Sequence, residues 1–244
     1  MSLFMIDPVY LVVAGVGLLI SGVATARVKW AFAKYSQVPV RSGLTGAEAA
    51  QRMLAREGLG DVRIERVSGF LSDHYHPGER AIRLSPDVFD GRSVAAVSVA
   101  CHEAGHALQH QQKYAPLGLR SFTVPAASIG SKLGPIMCVL GIMLGAPQAV
   151  ESGQGGLGLF MVQAGLVLFG AVAFFQLVTL PVEFNASARA NESMSAHGFL
   201  ADAEEAAGAR SMLSAAAMTY VAALVTTLLW ILYYAYRVFG SARR

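Results

Sequence analysis

Residues 93–112 read Ser-Val-Ala-Ala-Val-Ser-Val-Ala-Cys-His-Glu-Ala-Gly-His-Ala-Leu-Gln-His-Gln-Gln. The run follows an interruption at Asp90 and Gly91 and predicts a helix over about Ser93 to Gln112. On that helix His102 and His106 stand at i and i+4, one turn apart on one face, with Glu103 beside them. Neutral imidazole nitrogens bind Zn²⁺, and a nearby carboxylate takes the proton from the metal-activated water that attacks an amide. Ala100, Ala104, Gly105 and Ala107 are small, which permits close packing around the helix and leaves room for an extended substrate. The competing reading is a chance match on a surface helix. The apolar setting argues against it, because ionisable groups there are costly unless a metal or a partner satisfies them.

A catalytic zinc usually has three protein ligands and one open position. The candidates for the third are His74, His76, His110, His197 and the carboxylates. His110 lies one turn past His106 but two turns from His102, so one metal could hardly be shared by all three. Its ordinary role is that of a satisfied helix histidine, and no His-x-x-Gly-x-x-His continuation follows the first histidine pair. Glu183 fits better. It follows a long apolar run and Pro181, and it opens the polar segment Glu-Phe-Asn-Ala-Ser-Ala-Arg-Ala over 183–190. An acid at the edge of an apolar span calls for a partner; the competing role is that of a helix N-terminal acid favoured by the dipole. The stretch between His106 and Glu183 accommodates two membrane spans, which return the chain to the side it left.

The solvent of the fold follows from composition. Of 244 residues, 54% are hydrophobic and 14% charged, which points to lipid around much of the chain. Nineteen basic against sixteen acidic residues give +3, too weak and too dispersed for a nucleic-acid footprint. Cys101 and Cys138 lie in apolar helical patterns without C-x-x-C spacing and read as reduced. Four uncharged stretches reach the roughly 20 residues that a bilayer helix needs: Val9 to Ala26, Leu133 to Val150, Ser152 to Val182 and Ser211 to Tyr236. The first lacks a basic leader and a cleavage site, and reads as a retained anchor.

The expected fold is mainly α and integral to the membrane, with about four transmembrane helices and a small α+β zincin-like catalytic insert between the first and second. In order, the chain reads as an anchor at 1–26, a polar catalytic insert at 27–122 and two transmembrane helices at 123–182. A polar helical segment at 183–210 and a final transmembrane helix with a basic tail at 211–244 complete it. Within the insert, Thr45 and Glu48 form a capping box for a helix ending near Gly58. Val62, Ile64 and Val67 alternate with charges, and Ala81, Ile82 and Leu84 follow a turn at Pro77 and Gly78, reading as a hairpin or small sheet. Ser85, Pro86 and Asp87 mark a helix start. In the second polar segment helices part at Gly198 and restart at Asp202 with Glu205.

The sequence also resembles a known family. Ser-Asp-His-Tyr at 72–75, His-Glu-Ala-Gly-His-Ala-Leu-Gln-His at 102–110 and Leu-Pro-Val-Glu-Phe-Asn-Ala-Ser at 180–187 are similar to the YugP-like membrane zinc metallopeptidases. So are Leu-Thr-Gly-Ala-Glu at 44–48, Tyr-Ala-Pro-Leu at 114–117 and Met-Thr-Tyr-Val at 218–221, so that the resemblance runs over most of the chain. It implies zinc on His102 and His106, Glu103 as catalytic acid and base, and a gluzincin-type ligand at Glu183. Asn185 and Ala188 stand where the resemblance leads one to expect Asp and Arg.

The resulting expectation is a zinc endopeptidase, one Zn²⁺ per chain, that hydrolyses peptide bonds of protein or peptide substrates in a lipid bilayer, with no nucleic-acid partner. A metal-binding membrane scaffold or chaperone-adaptor without turnover is the alternative. Glu103 speaks against it, because a structural site needs no base. A transporter or channel would carry ionisable groups inside its spans. His74 could line a cleft on a strand edge, where peptides add as a further strand. Arg189 and Tyr220 could each donate to an oxyanion, against an Arg189–Glu192 pair and an interfacial aromatic as their ordinary roles. Thirteen of the nineteen basic residues fall in 27–122 and none around Glu151, which points to a site on the cytosolic side; the membrane expected is a cell membrane, the inner one of a bacterium. Arg237, Arg243 and Arg244 pull the other way if all four spans cross.

Overall fold

The computed structural model describes residues 7–70 and 72–240. The outermost residues, including Arg243 and Arg244, lie outside them. In order come α1 (Pro8–Ser36), α2 (Gly46–Arg56), β1 (Arg63–Arg66), β2 (His74–His76), β3 (Ala81–Leu84), α3 (Pro86–Phe89) and α4 (Val94–Gln111). Then follow α5 (Ala115–Met143), α6 (Ala146–Glu151), α7 (Leu157–Ala196) and α8 (Ala203–Phe239). The protein is mainly helical with one small sheet, and α1, α5, α7 and α8 are long and apolar enough to cross a membrane.

The chain divides into two compact units. One comprises residues 1–23, 119–179 and 220–244. Its helices approach closely because glycines face backbone: a Cβ on Gly130 would lie 2.5 Å from the Leu168 carbonyl oxygen, and one on Gly141 2.5 Å from that of Gly158. Cys138, Val162, Phe169, Tyr233, Tyr234 and Val238 are buried together. Tyr233 donates to Asp7 Oδ2 at 2.9 Å and Arg237 Nε lies 3.3 Å from the same oxygen, which ties the start of α1 to the end of α8.

The other unit comprises residues 24–118 and 180–219. Its core gathers Met53 and Leu54 of α2, Ile82 and Leu84 of β3, and Met194, Phe199 and Met212 around α4. Buried residues occur all round α4, so this helix is a central one. The Ser93 hydroxyl caps it by accepting from the Ala96 N–H. The capping box of α2 is formed, with Thr45 Oγ1 accepting from Glu48 N and Glu48 Oε2 from Thr45 N. Asp202 Oδ1 accepts from Glu204 N and Glu205 N and starts α8.

The sheet runs β1-β3-β2, with β1 parallel and β2 antiparallel to β3, and pairs Tyr75 with Ile82. The turn at Pro77 and Gly78 therefore joins β3 to β2, not to β1. The strand His-Tyr-His, the strand edge expected around His74, is three residues long and lacks apolar alternation.

Three boundaries depart from the sequence reading. The second long apolar helix is Ala115–Met143 instead of Leu133 to Val150, because it carries Arg120 and Lys132 within it and ends before Gly145. Gly145, in the left-handed conformation at φ 82°, separates it from α6, which Pro147 opens. Pro181 does not open a new helix either: α7 continues through it to Ala196, so Glu183 sits inside a helix and not at its start. The final apolar run is likewise the later part of α8, which begins at Ala203.

Candidate metal centre

The site is built by α4 and the second half of α7 within one unit. Gly105 makes their approach possible: a Cβ there would lie 2.7 Å from the Ala186 carbonyl oxygen. That contact brings Glu183, 3% exposed, against the histidine face of α4. Glu183 Oε2 lies 3.3 Å from His102 Nε2 and 3.7 Å from His106 Nε2, and the two rings are 4.8 Å apart and nearly perpendicular. One ligand atom from each of the three residues lies within 4.8 Å of the others. Two imidazole nitrogens and a carboxylate are a donor set that suits zinc and leaves a coordination position open.

The far side of each ring is held too. His102 Nδ1 meets Ser187 Oγ at 3.2 Å, and His106 Nδ1 meets Gln109 Oε1 at 3.0 Å. Both rings therefore turn Nε2 to Glu183, the outer-partner arrangement that fixes metal-binding imidazoles. Burial works to lower the His106 pKa, but the hydrogen bond to Glu183 and the Glu103 and Glu183 charges lift it above the ordinary value. The Cys101 thiol beside His102 is pushed far up by burial, which leaves it inert.

Glu103 is buried and accepts a hydrogen bond at Oε2 from the backbone N–H of Tyr75, 2.9 Å away. Tyr75 is the middle residue of the edge strand β2. Just before that strand, Asp73 Oδ1 accepts from Ser85 N at 2.7 Å and from Ser85 Oγ at 3.0 Å. This explains why Ser85 does not cap α3 with its side chain. Burial raises the Asp73 pKa, the Ser85 hydrogen bonds oppose the rise, and the Glu103 charge adds to it.

The other singled-out residues have other partners. His110 Nδ1 meets the Tyr75 hydroxyl at 2.9 Å. His74, half-buried on β2, meets its neighbour's backbone at Ser72 O through Nδ1. His76 accepts from Glu79 N, and His197 meets Ser193 Oγ. Arg189 donates from Nε to Asn185 Oδ1 at 2.7 Å, a contact within α7. Tyr220 lies on α8 in the other unit. Sequence reasoning assigned no role to Gln109, Ser187, Tyr75 or Asp73. The available signal was spacing, since Gln109 is three residues past His106 and Ser187 four past Glu183.

Comparison with known proteins agrees with this chemistry. Residues 10–238 match the protein family described as "Putative neutral zinc metallopeptidase". The chain is 46% identical over 220 residues to the curated "Putative membrane protease YugP" of Bacillus subtilis (strain 168), covering 90% of this chain and 91% of that one. No solved structure matches the chain.

Proposed function

The chain belongs to the zinc metallopeptidase family that residues 10–238 match, and from that premise we propose that it is an integral membrane endopeptidase hydrolysing peptide bonds with Glu103 as general base. The observation that carries this reading is the meeting of His102, His106 and Glu183 on one side of α4 with Glu103 adjacent to them. These three residues hold one zinc per chain in a gluzincin-like arrangement. When bound, the ion supplies a Lewis acid that brings the pKa of a water to about 7 and polarises the scissile carbonyl.

The protein's own groups do the rest. Glu103 takes the proton of the attacking water and delivers it to the leaving amine, and the Tyr75 N–H holds its other oxygen in place. Edge strand β2, with His74 at its start, borders the site where an extended peptide can lie, its Tyr75 N–H being already taken by Glu103. Arg189 donates to Asn185 through Nε, and its terminal nitrogens are the candidate oxyanion donors. The basic residues of 27–122 favour a cytosolic site.

The test is cleavage of a fluorescently quenched, unfolded model protein by full-length protein in detergent, alongside its zinc content. Glu103→Gln is expected to keep the zinc and to lose activity by about 10²–10⁴-fold. Zinc without cleavage in the parent would favour the scaffold reading. Cleavage by Glu103→Gln at the parent rate would remove Glu103 from the mechanism.

A further inference from the structure

Around His106 stand groups that can hydrogen-bond in one sense only. A guanidinium only donates, so the Asn185 atom 2.7 Å from Arg189 Nε is the amide oxygen. That same oxygen lies 3.0 Å from Gln109 Nε2, and the Val182 carbonyl oxygen, which only accepts, lies 2.8 Å from the same nitrogen. Both hydrogens of the Gln109 amide are thereby committed. Its oxygen is the atom turned to His106 Nδ1, 3.0 Å away, and an acceptor there requires the proton to sit on Nδ1. In the neutral ring that a metal requires, the lone pair is then left on Nε2, the nitrogen that faces Glu183. Gln109 is 0% exposed, so water does not compete for these contacts.

We propose that Gln109, backed by Asn185 and Arg189, is a positioning residue that locks His106 as the Nδ1–H tautomer and presents Nε2 to the metal. The proposal rests on the zinc reading of His102, His106 and Glu183. It assigns Asn185 a role that follows from its own geometry: the amide carries the donor-only character of Arg189 one step inward. It also separates the two histidines chemically. Ser187 Oγ, the partner of His102 Nδ1, can donate or accept and imposes no tautomer by itself, whereas the Gln109 chain imposes one. Because a neutral amide faces His106 where a carboxylate often serves, the ring is oriented without added negative charge.

The experiment uses full-length protein in detergent, with zinc affinity measured by competition with a chromophoric chelator. Gln109→Met is expected to weaken zinc about 10–100-fold, the range for loss of an outer partner. Arg189→Met leaves the Val182 contact in place and should weaken it less. Adding Asn185→Asp to Arg189→Met should restore the parent affinity, because a carboxylate can only accept from Gln109. A nitrogen NMR spectrum of histidine-labelled, zinc-loaded protein should show His106 ligating through Nε2 with its proton on Nδ1. A packing role alone would lower the melting temperature of these variants without changing zinc affinity, and would not give the rescue. Arg189 is partly exposed, so its variant carries the test even if Gln109→Met fails to fold. Parent-like zinc affinity in Arg189→Met and in every folded Gln109 variant, or ligation through Nδ1, overturns the lock alone. A parent that binds no zinc overturns the proposed metal centre and the lock with it.

Discussion

The two units of this chain bury their helices by different means. In the first, large side chains face outward, with Leu18 76% and Phe122 82% exposed, while glycines and a few aromatics meet inside. Where Gly130 and Gly141 stand, backbone meets backbone, the packing expected where the surrounding medium is as apolar as the side chains. In the second, Met53, Leu54, Ile82, Leu84 and Phe199 are buried, and the periphery carries the capping box of α2 and ion pairs such as Arg66–Asp90 and Arg80–Asp61. That is how a fold in water is built. His102, Glu103, His106 and Glu183 all belong to the second. The contrast teaches that the apolar, membrane-length helices and the candidate metal centre belong to separate cores of one chain, although α1, α7 and α8 each contribute to both.

The largest effect should come from the second unit's centre. Glu183→Gln removes the charge that offsets Zn²⁺, and zinc affinity measured by chelator competition should fall by more than the roughly 100-fold ceiling for outer partners. If Glu183→Gln binds like the parent while His74→Ala or His197→Ala loses zinc, the third ligand is a histidine.

Gly105→Ala and Gly141→Ala sharpen the division between the units. Each puts a methyl group within 2.7 Å of facing backbone, at Ala186 and at Gly158 respectively. Each should cost about 1–3 kcal/mol by overpacking, read as a lower melting temperature in detergent. Only Gly105→Ala should also weaken zinc, because it pushes Glu183 from His102 and His106. Equal loss of zinc in both would break the comparison.

Thr45→Ala, at the cap of α2, should cost about 1 kcal/mol without touching the metal. The smallest effect concerns Asp73, whose carboxyl has a folded-state pKa raised above its ordinary 3.8. Folding is therefore accompanied by proton uptake between those two values. The cost of the ionised group is absent below about 3.8 and grows as pH rises through the folded value. Asp73→Asn should flatten stability against pH across that acidic window, as followed by thermal unfolding. An unchanged slope there would mean that Asp73 is not the group responsible.

Much of this architecture was legible where one residue type has one physical use. Thr45 with Glu48 and Asp202 with Glu205 announced helix starts, and the interruption at Asp90 and Gly91 announced α4. The i, i+4 spacing of His102 and His106 required a shared face, and Glu183 was singled out as an acid beside an apolar run. What stayed hidden depends on contacts distant in sequence. Pro181 read as standing before a new helical segment, but α7 carries it inside, as α5 carries Pro125 and Pro135, where neighbouring packing outweighs the local preference. The pairing of β2 with β3 was hidden because β2 is too short and too polar to show alternation. Gln109 and Ser187 look like ordinary helix polars until α7 lies against α4, and nothing in composition announces the Tyr75 N–H on Glu103.

The most direct measurement is a zinc-edge X-ray absorption spectrum of catalytically active, detergent-purified protein. The account predicts one zinc per chain, with nitrogen and oxygen neighbours alone at about 2.0–2.2 Å, and loss of the signal in His102→Ala. Active protein without zinc, or a sulfur neighbour at about 2.3 Å pointing to Cys101, would contradict it.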